Sequence, residues 1–448
     1  MNNFWQFSKE NIAVGLFLFA LFLGAGNIIG PPLLGQQAGD HITLAMIGFL
    51  ITGVGLPLIA IIAAARAGGD LYTLSSRVHP MYGLIFTSVI YLTIGPLFAT
   101  PRVATVSYEI GVVPFLEYLP ASVLESWVPL FLTSLVFFAI VLYLALNPTK
   151  MVDRIGKVLT PILLLIILIL FIKSLVTPMG APGAAQGKYI DNPLTEGFIQ
   201  GYITIDVLSA LVFAIVILQT LKTRGILEPK RQIVTMIFSA VVAAIGLAFV
   251  YISLGYIGAT SVAEIGYLDN GGQIIRQATA VLFGDFGKVL LAATIILACL
   301  TTAVGLIVAN AEFFNRVFPK LSYKGLIYTF TFISAMLSNI GLTKLIEVTV
   351  PVLFFMYPLA IVLMLVSFID HYFNESSLVY TLTLLPTAFV ALHDALYSET
   401  RSFGWYTDIV SVLPLYEHQL AWVVPALVGL VIGIILYNVL PKKQHYAQ

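Results

Sequence analysis

The chain has 448 residues, of which 59% are hydrophobic and only 10% charged, with a mean hydropathy of +0.98. A soluble domain carries about 25% charged residues, so this composition excludes a cytosolic enzyme, a secreted domain and a disordered chain, and leaves a polytopic membrane protein. Lysine plus arginine and aspartate plus glutamate both number 22, so net charge points to no nucleic acid or other charged partner.

A membrane-spanning helix needs about 20 apolar residues. Apolar runs of that kind predict twelve spans, near 12–35, 42–65, 81–112, 124–146, 155–176, 196–220, 232–258, 287–312, 323–341, 345–369, 377–396 and 420–440. The first run is too long for a signal peptide and lacks a small-residue cleavage site. The polar connections 177–195 and 259–286 are expected to be loops, so residues 1–448 form one transmembrane domain.

Span one carries Gly24, Gly26, Asn27, Gly30, Pro31 and Pro32. Glycine costs about 1 kcal/mol inside a helix relative to alanine, and proline about 3. The helix is therefore expected to unwind between Leu23 and Asn27. Freed backbone groups at that depth are tolerated only toward protein or a watery cavity, where carbonyls can meet a cation and N–H groups an anion. A glycine-packed kink is the alternative. Span three bends at Pro96 and Pro101, and Arg102 and Glu109, seven residues apart, share a helical face. They could form an intramembrane pair or serve an outer gate, or Arg102 could be a structural charge against carbonyls.

Span six holds Asp206 deep in an apolar run. A buried intramembrane charge costs several kcal/mol unless it is paired or faces a cavity, so it marks an ion or substrate path. It could also cap a second half-helix. Irregular spans one and six fit a five-helix repeat, inverted in the membrane, with a midplane site as in secondary transporters. The repeats would occupy about 10–176 and 194–370, with two extra helices at about 376–441. In span eight, Thr301 and Thr302 could bond their own backbone or offer hydroxyl oxygens to a hard cation, which takes oxygen ligands. Cys299, the single cysteine, lies in the same apolar run and is assigned to packing.

With the N-terminus inside, the inner loops hold Lys9, Arg66, Arg77, Lys150, Arg154, Lys157, Lys222, Arg224, Lys230, Arg231, Arg316, Lys320, Lys324, Lys442 and Lys443. The outer side holds only Lys173, Lys188, Arg276, Lys288, Lys344 and Arg401, together with the acidic Glu117, Glu125, Asp191, Glu264, Asp269, Asp394, Glu399, Asp408 and Glu417. The positive-inside rule then places both termini in the cytoplasm.

Three stretches carry a resemblance. They are 24–39 (GAGNIIGPPLLGQQAG), 91–105 (YLTIGPLFATPRVAT) and 201–206 (GYITID) with Ala210 and Leu211. In that order and in those spans they resemble the bacterial branched-chain amino acid:cation symporter family, within the amino acid–polyamine–organocation superfamily. The resemblance implies the LeuT-type fold: an all-α membrane protein with twelve transmembrane helices, a 5+5 inverted repeat plus two, and helices one and six unwound at mid-membrane. It implies uptake of leucine, isoleucine and valine into a bacterial cell coupled to Na⁺, with no other cofactor. By similarity to sodium:amino acid symporters of that fold, amides near Ala25 and Gly26, after Gly24, would hold the substrate carboxylate. Asn27 would sit by a second cation there, and Thr204 falls where such symporters use a threonine. The stretch Ala298-Cys299-Leu300-Thr301-Thr302 matches their eighth helix. It implies a sodium site made of the Thr301 and Thr302 hydroxyls and the carbonyls of Ala20, Leu23 and Ala298.

Ala20 departs from a glycine of that pattern, and Asp206 has no carboxylate counterpart there. Asp206 could meet the ammonium, replace a cation or carry a proton, so H⁺ coupling stays open. Phe98, Phe213 and Val304 are chosen as walls of an apolar substrate pocket. No protein partner beyond the lipid bilayer is expected. The rival readings are a same-fold carrier of another small metabolite, a membrane enzyme, and a channel or sensor. Against an enzyme, there is no HExxH stretch or Ser/His pair, and the histidines fall at span ends, in loops or in the tail.

Overall fold

The computed structural model describes residues 2–116, 118–124, 126–147, 152–204, 206–340, 342–400 and 404–439. Glu117, Glu125, Lys150, Arg401, Lys442, Lys443 and His445 lie outside the described residues, as do the side chains of Lys9, Ala25, Lys344 and Glu399. Among the described residues every regular element is helical.

The first apolar stretch forms two helices, α1 (Asn2–Phe22) and α2 (Ala25–Ala38). The second forms α3 (Ile42–Leu50) and α4 (Leu56–Arg66), joined by a wide turn at Ile51–Gly55. A short α5 (Leu71–Ser75) leads to α6 (Pro80–Leu92) and α7 (Ala99–Val106). Between these two, Gly95 leaves helical geometry just before Pro96, whose ring cannot donate to the helical ladder. Then come α8 (Ala121–Leu124), α9 (Trp127–Ala145) and α10 (Thr160–Val176). The sixth stretch is again two helices, α11 (Pro193–Ile203) and α12 (Asp206–Thr223). The long α13 (Pro229–Ile265), α14 (Gly271–Phe283) and α15 (Asp285–Val317) follow. The chain continues through α16 (Tyr323–Leu337), α17 (Leu342–Val366), α18 (Ser377–Thr400), α19 (Gly404–Ser411) and α20 (Val423–Val439).

Each of the twelve apolar runs therefore falls on helix. Among the described residues, eight helical stretches are long and apolar enough to cross a membrane, and three shorter helices are apolar as well. The most apolar stretch of α15 is 83% buried, against 33% for the stretch that contains α10. So α15 sits at the centre, while α10 turns apolar side chains such as Leu165 and Ile172 outward, as a lipid-facing helix must.

Small residues let helices touch at the backbone. A methyl group on Gly258 of α13 would lie 2.1 Å from the Pro32 carbonyl oxygen of α2. One on Gly197 of α11 would lie 1.9 Å from the Ala45 carbonyl oxygen of α3. These contacts seat the two broken helices against α13 and α3.

Two expectations need correction. The break in the first span is narrower than 23–27: only Leu23 and Gly24 leave the helix, while Asn27, Pro31 and Pro32 all lie in α2. Packing of α2 along α13 outweighs the local cost of its prolines. The connection 259–286 is not a loop either. Its start is the end of α13, and α14 fills most of the rest. The Asn270 side chain caps α14 by accepting from the Gly272 N–H at 2.7 Å. Ile274, Ile275, Ala278 and Leu282 of α14 are buried on one face. A search for continuous apolar runs passes over such an amphipathic helix.

Candidate transport site

The two breaks face each other. At the first, the Gly24 N–H donates to the Phe22 carbonyl at 2.7 Å, and Gly24 is extended at φ −86°, ψ 178° before α2 begins. At the second, the Thr204 hydroxyl donates to the Gly201 carbonyl at 2.8 Å, and α12 starts at Asp206. One side chain joins them: Asn27 Nδ2 donates to Asp206 Oδ2 at 2.9 Å and to the Tyr251 hydroxyl at 2.6 Å. Tyr251 Oη lies 3.4 Å from the same carboxylate oxygen, and its ring is held edge-on by Phe49 with centroids 5.2 Å apart. Asp206 is only 7% exposed, so an intramembrane carboxylate is met by an amide and a phenol rather than left bare.

Beside these residues lies a cavity of about 280 Å³. That is near the lower end of small-molecule sites, roughly 300 Å³ and upward. Gly24, Gly26, Asn27 and Gly30 line it from the first span, and Gln200, Thr204, Asp206, Ser209 and Phe213 from the sixth. Ile94, Phe98, Ala99, Arg102 and Val103 line it from the third, with Thr302, Leu306 and Leu353. Leu21 and Phe22 complete the wall, and Phe22 meets Phe213 edge-to-face with centroids 5.7 Å apart. Of the three residues chosen as apolar wall, Phe98 and Phe213 line the cavity, whereas Val304 is fully buried elsewhere.

A second cluster ties the end of α1 to α15. The Thr301 hydroxyl lies 2.9 Å from the Ala20 carbonyl oxygen and 3.0 Å from that of Ala298. A hydroxyl has one proton, so it satisfies only one of these two acceptors at a time. The Thr302 hydroxyl lies 3.0 Å from the Leu21 carbonyl. Ala20, Ala298 and Thr301 are thus brought together. Thr302 turns to Leu21, a residue that the sequence pattern did not single out, and among the described residues no hydrogen bond joins its hydroxyl to the Leu23 carbonyl. Gln200, Ser209, Tyr251 and Leu306 were also missed.

Arg102 and Glu109 form no ion pair with each other among the described residues. The Arg102 guanidinium lies over the Phe98 ring, 5.3 Å from its centroid. With Gly26 and Gly30 it also lines a second cavity of about 520 Å³, whose other lining includes Glu109, Asn270, Gln273 and Arg276.

Two helices broken face to face around a small cavity, in an all-helical membrane bundle, define a transporter of the LeuT-type fold. The fold is similar to that of Mhp1, a nucleobase-cation-symport-1 family transporter, in a closed conformation with bromovinylhydantoin bound. The TM-score is 0.55 at 14% identity, over 96% of this chain and 92% of that one. It is equally similar to MhsT in complex with L-phenylalanine, with a TM-score of 0.55 at 15% identity, over 95% of this chain and 97% of that one.

Residues 7–440 match the family model described as branched-chain amino acid transport protein, and the chain belongs to that family. It is 45% identical to the branched-chain amino acid permease BraB of Bacillus subtilis (strain 168), with 97% of each chain covered. It is 43% identical to the branched-chain amino acid transport system 2 carrier protein of Pseudomonas aeruginosa, again over 97% of each. It is 39% identical to the branched-chain amino acid permease BrnQ of Escherichia coli (strain K12), over 96% of this chain and 95% of that one. The protein is a multi-pass membrane transporter and not an enzyme.

Proposed function

We propose that the protein imports leucine, isoleucine and valine across a bacterial cell membrane together with Na⁺, by alternating access, with both termini in the cytoplasm. The observation that carries this is the Asn27 bridge between the two helix breaks, beside a cavity whose lining carries one carboxylate, Asp206. The relatives named for branched-chain amino acids supply the substrate class. The zwitterion would lie in that cavity, with its carboxylate toward the first turn of α2, near Ala25 and Gly26, where the helix dipole favours negative charge. Its ammonium would meet Asp206 and the carbonyls around Thr204. Ile94, Phe98, Phe213 and Leu306 would enclose the aliphatic side chain. Such a pocket separates neighbours differing by one methylene by only about 1–3 kcal/mol, so all three aliphatic amino acids are accepted.

Na⁺ would take the Thr301 hydroxyl and the carbonyls of Ala20 and Ala298. Reaching Thr302 and Leu23 as well requires the Thr302 hydroxyl to leave Leu21. Because these oxygens come from α1 and α15, the ion would tie the two helices together, and Asn27 would border any second cation. A proton-coupled reading is kept for one reason: Asp206 is a buried carboxylate at the same cavity. Uptake into proteoliposomes tests both. Leucine uptake is expected to follow an imposed Na⁺ gradient at constant pH. Uptake that follows only a pH gradient would replace the ion, and no leucine uptake would overturn the substrate.

A further inference from the structure

We propose that Arg102 is the residue that recognises the substrate carboxylate. This rests on the reading of the central cavity as an amino-acid site and adds to it a residue that reading does not use. Three observations lead there. Arg102 lines the central cavity, and among the described residues lining it Arg102 and Asp206 alone carry full charge. It makes no ion pair and no side-chain hydrogen bond among the described residues, whereas Asp206 is engaged by Asn27 and Tyr251. Its guanidinium also abuts the start of α2: a methyl group on Gly26 would come within 2.9 Å of Arg102 Nη2. The side chain is placed on α7 so that its guanidinium lies over the Phe98 ring, a cation–π contact that holds the fork without consuming its N–H donors.

A guanidinium offers five N–H donors in a fixed fork that matches a carboxylate with two parallel bonds. A free fork inside a membrane protein is costly unless an anion completes it. The zwitterion supplies that anion, and its ammonium is left for Asp206 on the other side of the break. Arg102 also lines the second cavity, so a carboxylate passing from that cavity meets Arg102 at the boundary. The chemistry selects an α-amino acid over an aliphatic amine or an amide of the same shape.

The test is displacement of labelled leucine from purified protein by leucine and by leucinamide, which keeps the ammonium and side chain but replaces the carboxylate with a neutral amide. For the wild type, leucine is expected to bind about 10- to 100-fold more tightly than leucinamide, the range for charge-assisted bonds. In Arg102→Gln that ratio is expected to fall toward one, through loss of leucine affinity with leucinamide affinity nearly unchanged. Arg102→Lys, which keeps the charge and loses the fork, is expected to fall between the two. A ratio in Arg102→Gln equal to the wild-type ratio, whether leucine affinity is kept or both ligands weaken together, overturns the proposal. If Arg102→Gln does not fold, Arg102→Lys decides alone, and an unchanged ratio there overturns it. Failure of the wild type to bind leucine is a different result: it overturns the reading of the cavity itself.

Discussion

Asp206→Asn separates the charge of this carboxylate from its shape. Asparagine is nearly isosteric and keeps a side-chain oxygen, so Asn27 Nδ2 retains the acceptor that it now reaches at 2.9 Å. What disappears is the negative charge. Hydrogen bonds to a charged group contribute about 1.5–3 kcal/mol, against about 0.5–1.5 for neutral ones. If Asp206 receives the substrate ammonium, its neutralisation turns a charged bond into a neutral one and weakens leucine binding by the difference, about 1–1.5 kcal/mol, which is about 5- to 12-fold at 1.4 kcal/mol per decade.

Asp206→Ala removes the oxygen as well. Asn27 then keeps only the Tyr251 hydroxyl at 2.6 Å, and a buried donor without its partner costs about 1–3 kcal/mol. The two variants should therefore split. Both lose leucine affinity, but only the alanine variant melts at a lower temperature. Thermal unfolding in detergent and saturation binding on the same preparations read the two effects separately. An Asp206→Asn protein that binds leucine as the wild type does would reduce Asp206 to a structural partner of Asn27. Equal melting of the two variants would refute the bridge between the breaks.

The double substitution Thr301→Ala with Thr302→Ala removes the hydroxyls that lie at the Ala20, Ala298 and Leu21 carbonyls; it should raise the Na⁺ concentration for half-maximal uptake at least tenfold while preference among leucine, isoleucine and valine stays as it was, and an unchanged Na⁺ dependence would remove the ion from this cluster. Gly258→Val forces a side chain into a position 2.1 Å from the Pro32 carbonyl oxygen, so α13 must separate from α2, and melting should fall by the equivalent of about 1–3 kcal/mol, as for overpacked cores; a variant as stable as the wild type would mean that these helices do not touch there. Arg77 pairs with Asp370 and Glu375, and Tyr380 donates to Asp370 at 3.0 Å. Arg77→Ala strands the buried Asp370 with that phenol alone and should cost about 3 kcal/mol, the lower end for a broken buried pair because Arg77 is partly exposed. Adding Asp370→Asn should recover part of the loss, and no recovery would place the defect outside the pair.

The breaks were legible because glycine, asparagine and proline cannot hide in an apolar run, and an aspartate cannot either. Their width was not legible, since burial of α2 along α13 decides how many residues stay helical. The lining followed a rule that the sequence contains but does not announce. Asp206, Ser209 and Phe213 fall three and four residues apart, as do Thr302 and Leu306, and each set shares one face of its helix. Val304 is two residues from Thr302, about 200° round the helix, and so turns away. Once one cavity-facing residue per helix is known, the others follow by spacing. Which face that is depends on neighbours far away in the chain. Tyr251 gives no local signal at all, because an aromatic residue in a long apolar helix looks like packing until Asn27 is placed against it.

The same geometry explains why two charges can stay in the membrane without pairing. Asp206 and Arg102 line one cavity, yet no ion pair joins them among the described residues. Asn27 holds Asp206 through an uncharged amide, so this hydrogen bond sets no opposite charge beside the carboxyl group. Phe98 supports Arg102 through its π face, which leaves every N–H free. A direct bond between the two would satisfy both and close the cavity to a zwitterion. Kept apart, they form two opposite poles, and a molecule carrying one ammonium and one carboxylate on the same carbon is a ligand that completes both at once. The cost of leaving Arg102 open thus becomes binding energy that an uncharged aliphatic molecule of the same size cannot obtain.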